Sequence, residues 1–245
     1  MKGETSPVSA CAIETEGLTR SFGSHLALDG IDLRVSAGEC LAILGPNGAG
    51  KTTLIKVLAT IMNPSAGKMF IAGLNPRTDV ERIRARIGVV THHPLLYSNL
   101  TGYENLEFYG RLYDVPEADS RIHEVAEMVG MTVRLHDRAG TLSRGMQQRL
   151  SIARALLHRP EIVLLDEPET GLDQDALSVV WKVLKGAEEQ KRTIVFTSHQ
   201  LERVIELSDR VVILNEGRIA HEQTKQDLCL TGLEEAYRAC TRGPV

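Results

Sequence analysis

The residues Gly45-Pro46-Asn47-Gly48-Ala49-Gly50-Lys51-Thr52-Thr53 match, without a mismatch, the pattern of two glycines enclosing four residues and followed by Lys and Thr. This is the phosphate-binding loop pattern, and its chemistry depends on those residue types. Glycines let backbone N–H groups converge on phosphate oxygens with no Cβ in the way. The positive end of a following helix adds favourable field for an anion. Lys51 is placed to reach the outer phosphates, and the Thr52 hydroxyl to take one position on a Mg²⁺ ion. Two further groups suit the same chemistry. Asp166-Glu167 follows the apolar run Ile162-Val163-Leu164-Leu165, and His199 follows Thr193 to Thr197. Asp166 could hold the metal through its water shell, and Glu167 could accept a proton from an attacking water. By itself an acidic pair is most often a solvated turn, and a lone histidine is most often structural. The phosphate loop upstream is what gives both a purpose.

The flanking pattern supplies the elements these groups need. Leu41-Ala42-Ile43-Leu44 reads as a buried parallel strand, and Leu54, Ile55, Val57, Leu58 and Ile61 recur at helical spacing. Ile13 to Thr15, Ile31 to Val35, Lys68 to Ala72 and Ile87 to Val90 read as further strands. Asp79 is placed to cap a short helix carrying Val80, Ile83 and Ile87. From Pro94 to Pro160 the pattern is helical throughout. Thr101-Gly102-Tyr103-Glu104 forms a capping box, Gly130 closes a second helix, and Leu150, Ala153, Leu156 and Leu157 mark a third. Strand and helix alternation then returns. Ala176, Val180, Val183 and Leu184 share a face, Leu201 to Ile205 gives another helix, and Arg210 to Ala220 reads as a hairpin. Leu233, Ala236, Tyr237 and Cys240 line one side of a terminal helix, suited to self-packing or docking. In open parallel sheets ligands bind beyond the carboxyl ends of the strands, where the phosphate loop, Asp166-Glu167 and His199 all fall.

Composition bounds the class. A chain of 245 residues with 42% hydrophobic and 24% charged content can bury a sizeable core. A formal charge of −4 predicts no nucleic-acid surface. No apolar run approaches the ~20 residues of a membrane span, and Met1 to Ala10 lacks the apolar core of a secretory signal. Cys11, Cys40, Cys229 and Cys240 show no metal-ligand spacing, which fits a reducing, cytosolic setting, with Cys40 a core residue.

Leu142-Ser143-Arg144-Gly145-Met146-Gln147-Gln148-Arg149, together with the phosphate loop, Asp166-Glu167, Thr170-Gly171-Leu172-Asp173 and His199, closely resembles the ATP-binding subunit of ABC transporters. The likeness runs from Ile13 to about Ala220. It implies an α/β fold: a P-loop NTPase core with a mainly parallel sheet, an antiparallel β subdomain and an inserted α-helical subdomain. The corresponding division is 1–94 for the first part of the core, 95–160 for the insertion, 161–223 for the second part and 224–245 for a C-terminal helix. The resemblance further implies an ATPase that uses ATP and Mg²⁺, with two copies, or this chain and a relative, stacked head to tail around two ATP molecules. Ser143 and Gly145 of one would face the terminal phosphate held by Gly45 to Thr52 of the other. Phe22 would stack on adenine, Asp173 would link the two sites, and His199 would contact the terminal phosphate. Separate polytopic membrane subunits would dock near His92 to Leu100, leaving this chain peripheral on the cytoplasmic face of the membrane.

Three departures from the family pattern, at four positions, matter. Arg144 and Met146 replace the common Gly and Gln while the phosphate-facing Ser143 and Gly145 remain, and Thr170 replaces Ser, a conservative change. His92 stands where a metal-contacting Gln is usual, and an imidazole nitrogen is a poor ligand for a hard cation. That histidine, the run Leu100 to Tyr113 and the form of the signature resemble the CcmA-type ATPases, which implies haem export in cytochrome c maturation. Related drug, lipid and polysaccharide exporters share much of the pattern. A soluble ABC ATPase acting on ribosomes or nucleic acid is a competing expectation, disfavoured by a single nucleotide domain with no long coiled coil. An ATP-binding scaffold without turnover is disfavoured by Lys51, Asp166, Glu167 and His199 being in place.

Overall fold

The computed structural model describes residues 11–169, 172, 177–181 and 192–241. Two sheets organise the chain. β1 (Cys11–Phe22), β2 (His25–Ser36) and β4 (Ala66–Ile71) form an antiparallel sheet in the order β2-β1-β4. β3 (Cys40–Leu44), β5 (Ile87–Val90), β6 (Ile162–Leu165), β7 (Thr193–Thr197), β8 (Arg210–Asn215) and β9 (Arg218–Thr224) form the second, in the order β5-β6-β7-β3-β8-β9. Its first five strands are parallel and β9 closes the edge antiparallel to β8. The helices are α1 (Lys51–Leu58), α2 (Val80–Arg84), α3 (Gly102–Leu112), α4 (Ala118–Met128), α5 (Arg144–Leu156), α6 (177–181), α7 (Leu201–Leu207) and α8 (Leu230–Thr241).

Residue alternation on the central strands builds two cores, because successive side chains leave a strand on opposite faces. Leu41 and Ile43 pack with α1 and the antiparallel sheet, against Leu28, Ile31, Ile55 and Ile71. Ala42 and Leu44 pack on the other face with the helical region, against Leu106, Val125, Leu150 and Phe196. Cys40 belongs to this second core, as expected from the sequence.

The α/β alternation and the helical stretch between β5 and β6 match the sequence expectation, and local details differ. β1 and β2 run several residues longer than their apolar cores, so Phe22 is the last residue of a strand. Asp79 precedes α2, yet its carboxylate accepts from Thr78 and Arg82 rather than from the helix backbone. A charged neighbour one turn on competes successfully for the cap oxygen. The apolar stripe of α8 is turned inward: Leu233 is fully buried, with Ala236, Tyr237 and Cys240 packed on the same core. Val180 is buried in α6, whereas Ala176, Val183 and Leu184 lie outside the described residues. No helix among the described residues is long and apolar enough to cross a membrane.

Candidate active site

The carboxyl ends of β3, β5, β6 and β7 open on the same side of the sheet, since all four run parallel. Each delivers a functional segment there: Gly45 to Thr53, Thr91-His92, Asp166-Glu167 and Ser198-His199.

The glycine loop is tightly enforced at Gly50. It starts α1 with φ of 103°, and a Cβ at that position would stand 2.4 Å from the Ala27 carbonyl oxygen. An L side chain can satisfy neither constraint. Asn47, Gly48, Ala49, Gly50, Lys51, Thr52 and Thr53 line a cleft of about 300 Å³, whose remaining wall is Phe22, His25, Ala27 and Glu167. Gly45 and Pro46 lie at its root, their carbonyls accepting from Lys51 Nζ at 2.7 and 3.1 Å. Burial lowers the Lys51 pKa, an effect the nearby Glu167 and Asp166 carboxylates oppose. Phe22 is 45% exposed, and the Arg20 guanidinium lies 4.7 Å from its ring centroid. The aromatic face at the cleft mouth is thus polarised by a cation on it.

A second cleft of about 400 Å³ shares Thr52 and Glu167 with the first and adds Lys56, Ile61, Thr91, His92, His93, Leu95 and Asp166. At the junction Asp166, only 2% exposed, accepts from Thr52 Oγ1 at 3.1 Å and from Thr197 Oγ1 at 3.0 Å. A hydroxyl and a carboxylate so close together offer oxygen donors alone, the set a Mg²⁺ ion prefers, and the residues therefore fit that ion. His92 lines the same cleft in edge contact with His93, their centroids 5.3 Å apart.

Glu167 and His199 meet directly, Oε1 to Nε2, at 2.8 Å. Glu167 sits in the left-handed region with φ of 48°, an uncommon conformation for a residue with a Cβ. Its N–H donates to Thr197 Oγ1 at 2.8 Å. Glu169 closes the arrangement by accepting the His199 N–H at 3.3 Å, while its Oε2 is buried without a partner. Burial raises the Glu169 pKa, hydrogen bonds from Ser198 and His199 oppose the rise, and Glu167 adds to it.

Of the residues singled out in the sequence, the structure therefore gathers Phe22, the phosphate loop, Asp166, Glu167 and His199. Ser143 and Gly145 are elsewhere: Ser143 is the exposed N-cap of α5, accepting from the Met146 N–H, outside the lining of either cleft. Asp173 lies outside the described residues, as do Thr170 and Gly171. Sequence reasoning gave no role to Thr197, Glu169 or Gln148, the last of which donates to the Pro168 carbonyl at 3.3 Å and ties α5 to the acidic loop. Thr197 ends the strand that leads to His199, a position that marks the edge of the site and leaves its partners unstated.

Comparison with known proteins agrees with this geometry. The ABC transporter family model matches residues 28–170. An uncharacterised ABC transporter ATP-binding protein, YdbJ of Bacillus subtilis (strain 168), is 39% identical over 215 residues, covering 87% of this chain and 70% of that protein. The linearmycin resistance ATP-binding protein LnrL of the same organism is 33% identical over 244 residues, covering 94% and 78%. The daunorubicin resistance ATP-binding protein DrrA3 of Streptomyces coeruleorubidus is 36% identical over 219 residues, covering 89% and 69%. A dimeric ATP-binding cassette, MJ0796, solved in a post-hydrolysis state bound to ADP and Pi, superposes with a TM-score of 0.81. It is 26% identical, over 88% of this chain and 100% of that one.

Proposed function

Since the chain belongs to the ABC transporter family as an ATP-binding, ATP-hydrolysing subunit, we propose that it powers a drug exporter through separate membrane subunits. Support for the hydrolytic site comes from one juxtaposition: Glu167 and His199 share a hydrogen bond of 2.8 Å at the wall of the phosphate-loop cleft. The loop amides and Lys51 bind the triphosphate, and Phe22 stacks on the base. Thr52 and Asp166 hold a Mg²⁺ ion, which, when bound, neutralises charge on the transferring phosphoryl group. Glu167 takes a proton from a water as its oxygen bonds to the terminal phosphorus and the bond to the ADP oxygen breaks. His199 orients Glu167 and contacts the terminal phosphate.

Ser143 and Gly145 complete the site of another copy or of a homologous subunit. Ser143 is exposed and neither residue lines either cleft, as that role needs, and the dimeric state of the cassette MJ0796 favours it. Asp173 links the paired sites. The membrane subunits dock at His92 to Leu100, where Leu95 and Tyr97 are exposed beside Phe108 and Leu112 of α3. The four-part division at 94, 160 and 223 follows from this arrangement. The chain is then peripheral on the cytoplasmic face of the membrane, and no nucleic acid takes part.

The cargo class rests on relatives named for linearmycin and daunorubicin resistance. Haem export rests on His92, the run Leu100 to Tyr113 and the form of the signature Leu142 to Arg149, and we place it second. Deleting the gene for this chain in its own cell should raise sensitivity to a drug such as daunorubicin while leaving holo-cytochrome c intact. Loss of holo-cytochrome c without a change in sensitivity would reverse that order.

A further inference from the structure

Thr197 is fully buried at the end of β7, and its hydroxyl lies between the two acidic residues of the site. A backbone N–H can only donate and a carboxylate only accept, so the chain of bonds has one direction. Glu167 N–H donates to Thr197 Oγ1 at 2.8 Å, and Thr197 donates its single proton to Asp166 Oδ1 at 3.0 Å. The same Asp166 oxygen accepts from Thr52 of the phosphate loop at 3.1 Å. One hydroxyl therefore fixes both the carboxylate that faces Thr52 and the peptide that carries Glu167. That peptide needs holding, because Glu167 sits in the left-handed region that a residue with a Cβ disfavours. The strand supplying the hydroxyl also leads directly to His199, which meets Glu167 at 2.8 Å.

We propose that Thr197 is a positioning residue for ATP hydrolysis, setting Asp166 and Glu167 in register through its hydroxyl without touching the nucleotide. The proposal rests on Glu167 being the base. Thr197→Val keeps the shape and removes the hydroxyl, whereas Thr197→Ser keeps the hydroxyl. Wild type, both variants and a Glu167→Gln control are compared by steady-state ATPase rate, Mg²⁺ titration, binding of a fluorescent ATP analogue in EDTA, and thermal melting. Thr197→Val should lower kcat about tenfold or more, as expected when two buried polar groups lose their partner. It should raise the Mg²⁺ concentration for half-maximal rate, with metal-free nucleotide binding within about twofold of wild type and with Thr197→Ser restoring most of kcat. A Thr197→Val rate within about twofold of wild type overturns the proposal. So does equal impairment of Thr197→Ser, or loss of metal-free binding or folding in Thr197→Val, which would make Thr197 merely structural. Full turnover by Glu167→Gln removes the premise instead, a distinct failure because it is seen in the control itself.

Discussion

Lys51, Asp166, Glu167 and His199 reach one place because each follows the end of a parallel strand by only a few residues. Replacing Lys51 with Ala should reduce ATP turnover to background, since its ammonium is enclosed at the root of the cleft. Glu167→Gln should slow hydrolysis by two orders of magnitude or so while leaving nucleotide bound, the expected cost of losing a general base. Both are read by phosphate release and by retention of radiolabelled ATP. The loop, the acidic pair and the histidine were legible because each is a local pattern beside an apolar run. Thr197 and Glu169 were not, because their roles depend on register. β6 pairs with β7 so that Leu165 faces Phe196, which sets Asp166 beside Thr197. Nothing in a single sequence states that pairing.

Among the elements, α5 shows how the helical insertion is fastened to the core. Arg154 donates to the Val89 carbonyl at 2.6 Å, and Arg121 closes the C-terminal end through the Leu156 and Leu157 carbonyls. Just beyond it His158 stacks on Tyr113 at 4.0 Å and faces the Ile87 carbonyl through Nε2, with Nδ1 buried and unpartnered. Nε2 must then carry the proton, and a second proton on Nδ1 would be placed where nothing accepts it. Burial lowers the His158 pKa to about 4, helped by Arg154, Arg121 and Arg192. The unfolded state therefore binds the proton first. Stability from this group is full above about pH 6.5 and falls as pH drops toward 4, by up to about 2 kcal/mol between pH 7.5 and 5. Urea melts at those two pH values should show the loss, and His158→Phe should reduce it; an unchanged pH difference would contradict the account. Helix α3 gives a second check. Its capping box was plain in the sequence and is present in full, so Thr101→Ala should lower unfolding stability by roughly 1 kcal/mol. The buried Asn105, which holds the loop before α3 by bonds to Tyr97, Leu100 and Thr101, gave no such signal. An asparagine reads as polar surface until the loop folds over it.

At the scale of the whole molecule, the six-stranded sheet separates a phosphate-loop side from a helical side, and the clefts open at its carboxyl edge. Beside that edge an apolar patch of Leu95, Tyr97, Phe108 and Leu112 stays exposed, with Tyr97 and Phe108 in edge contact at 5.2 Å. Placing a charge there, as in Phe108→Asp, should leave basal ATPase within about twofold while reducing recovery of the membrane partner in detergent pull-downs, because charge is depleted from interface centres. The central strands were readable as uninterrupted apolar runs, whereas the strand order was not, since no local pattern encodes which strands are neighbours. Ser143 lies outside the lining of its own chain's clefts, and under the proposed function a single copy is therefore incomplete. The most direct test is the mass of Glu167→Gln by light scattering, with and without saturating ATP and Mg²⁺. A nucleotide-dependent rise to twice the monomer mass, abolished by Ser143→Arg, is the predicted result. A particle that stays monomeric at every nucleotide concentration, including with its membrane partner supplied, would contradict the account.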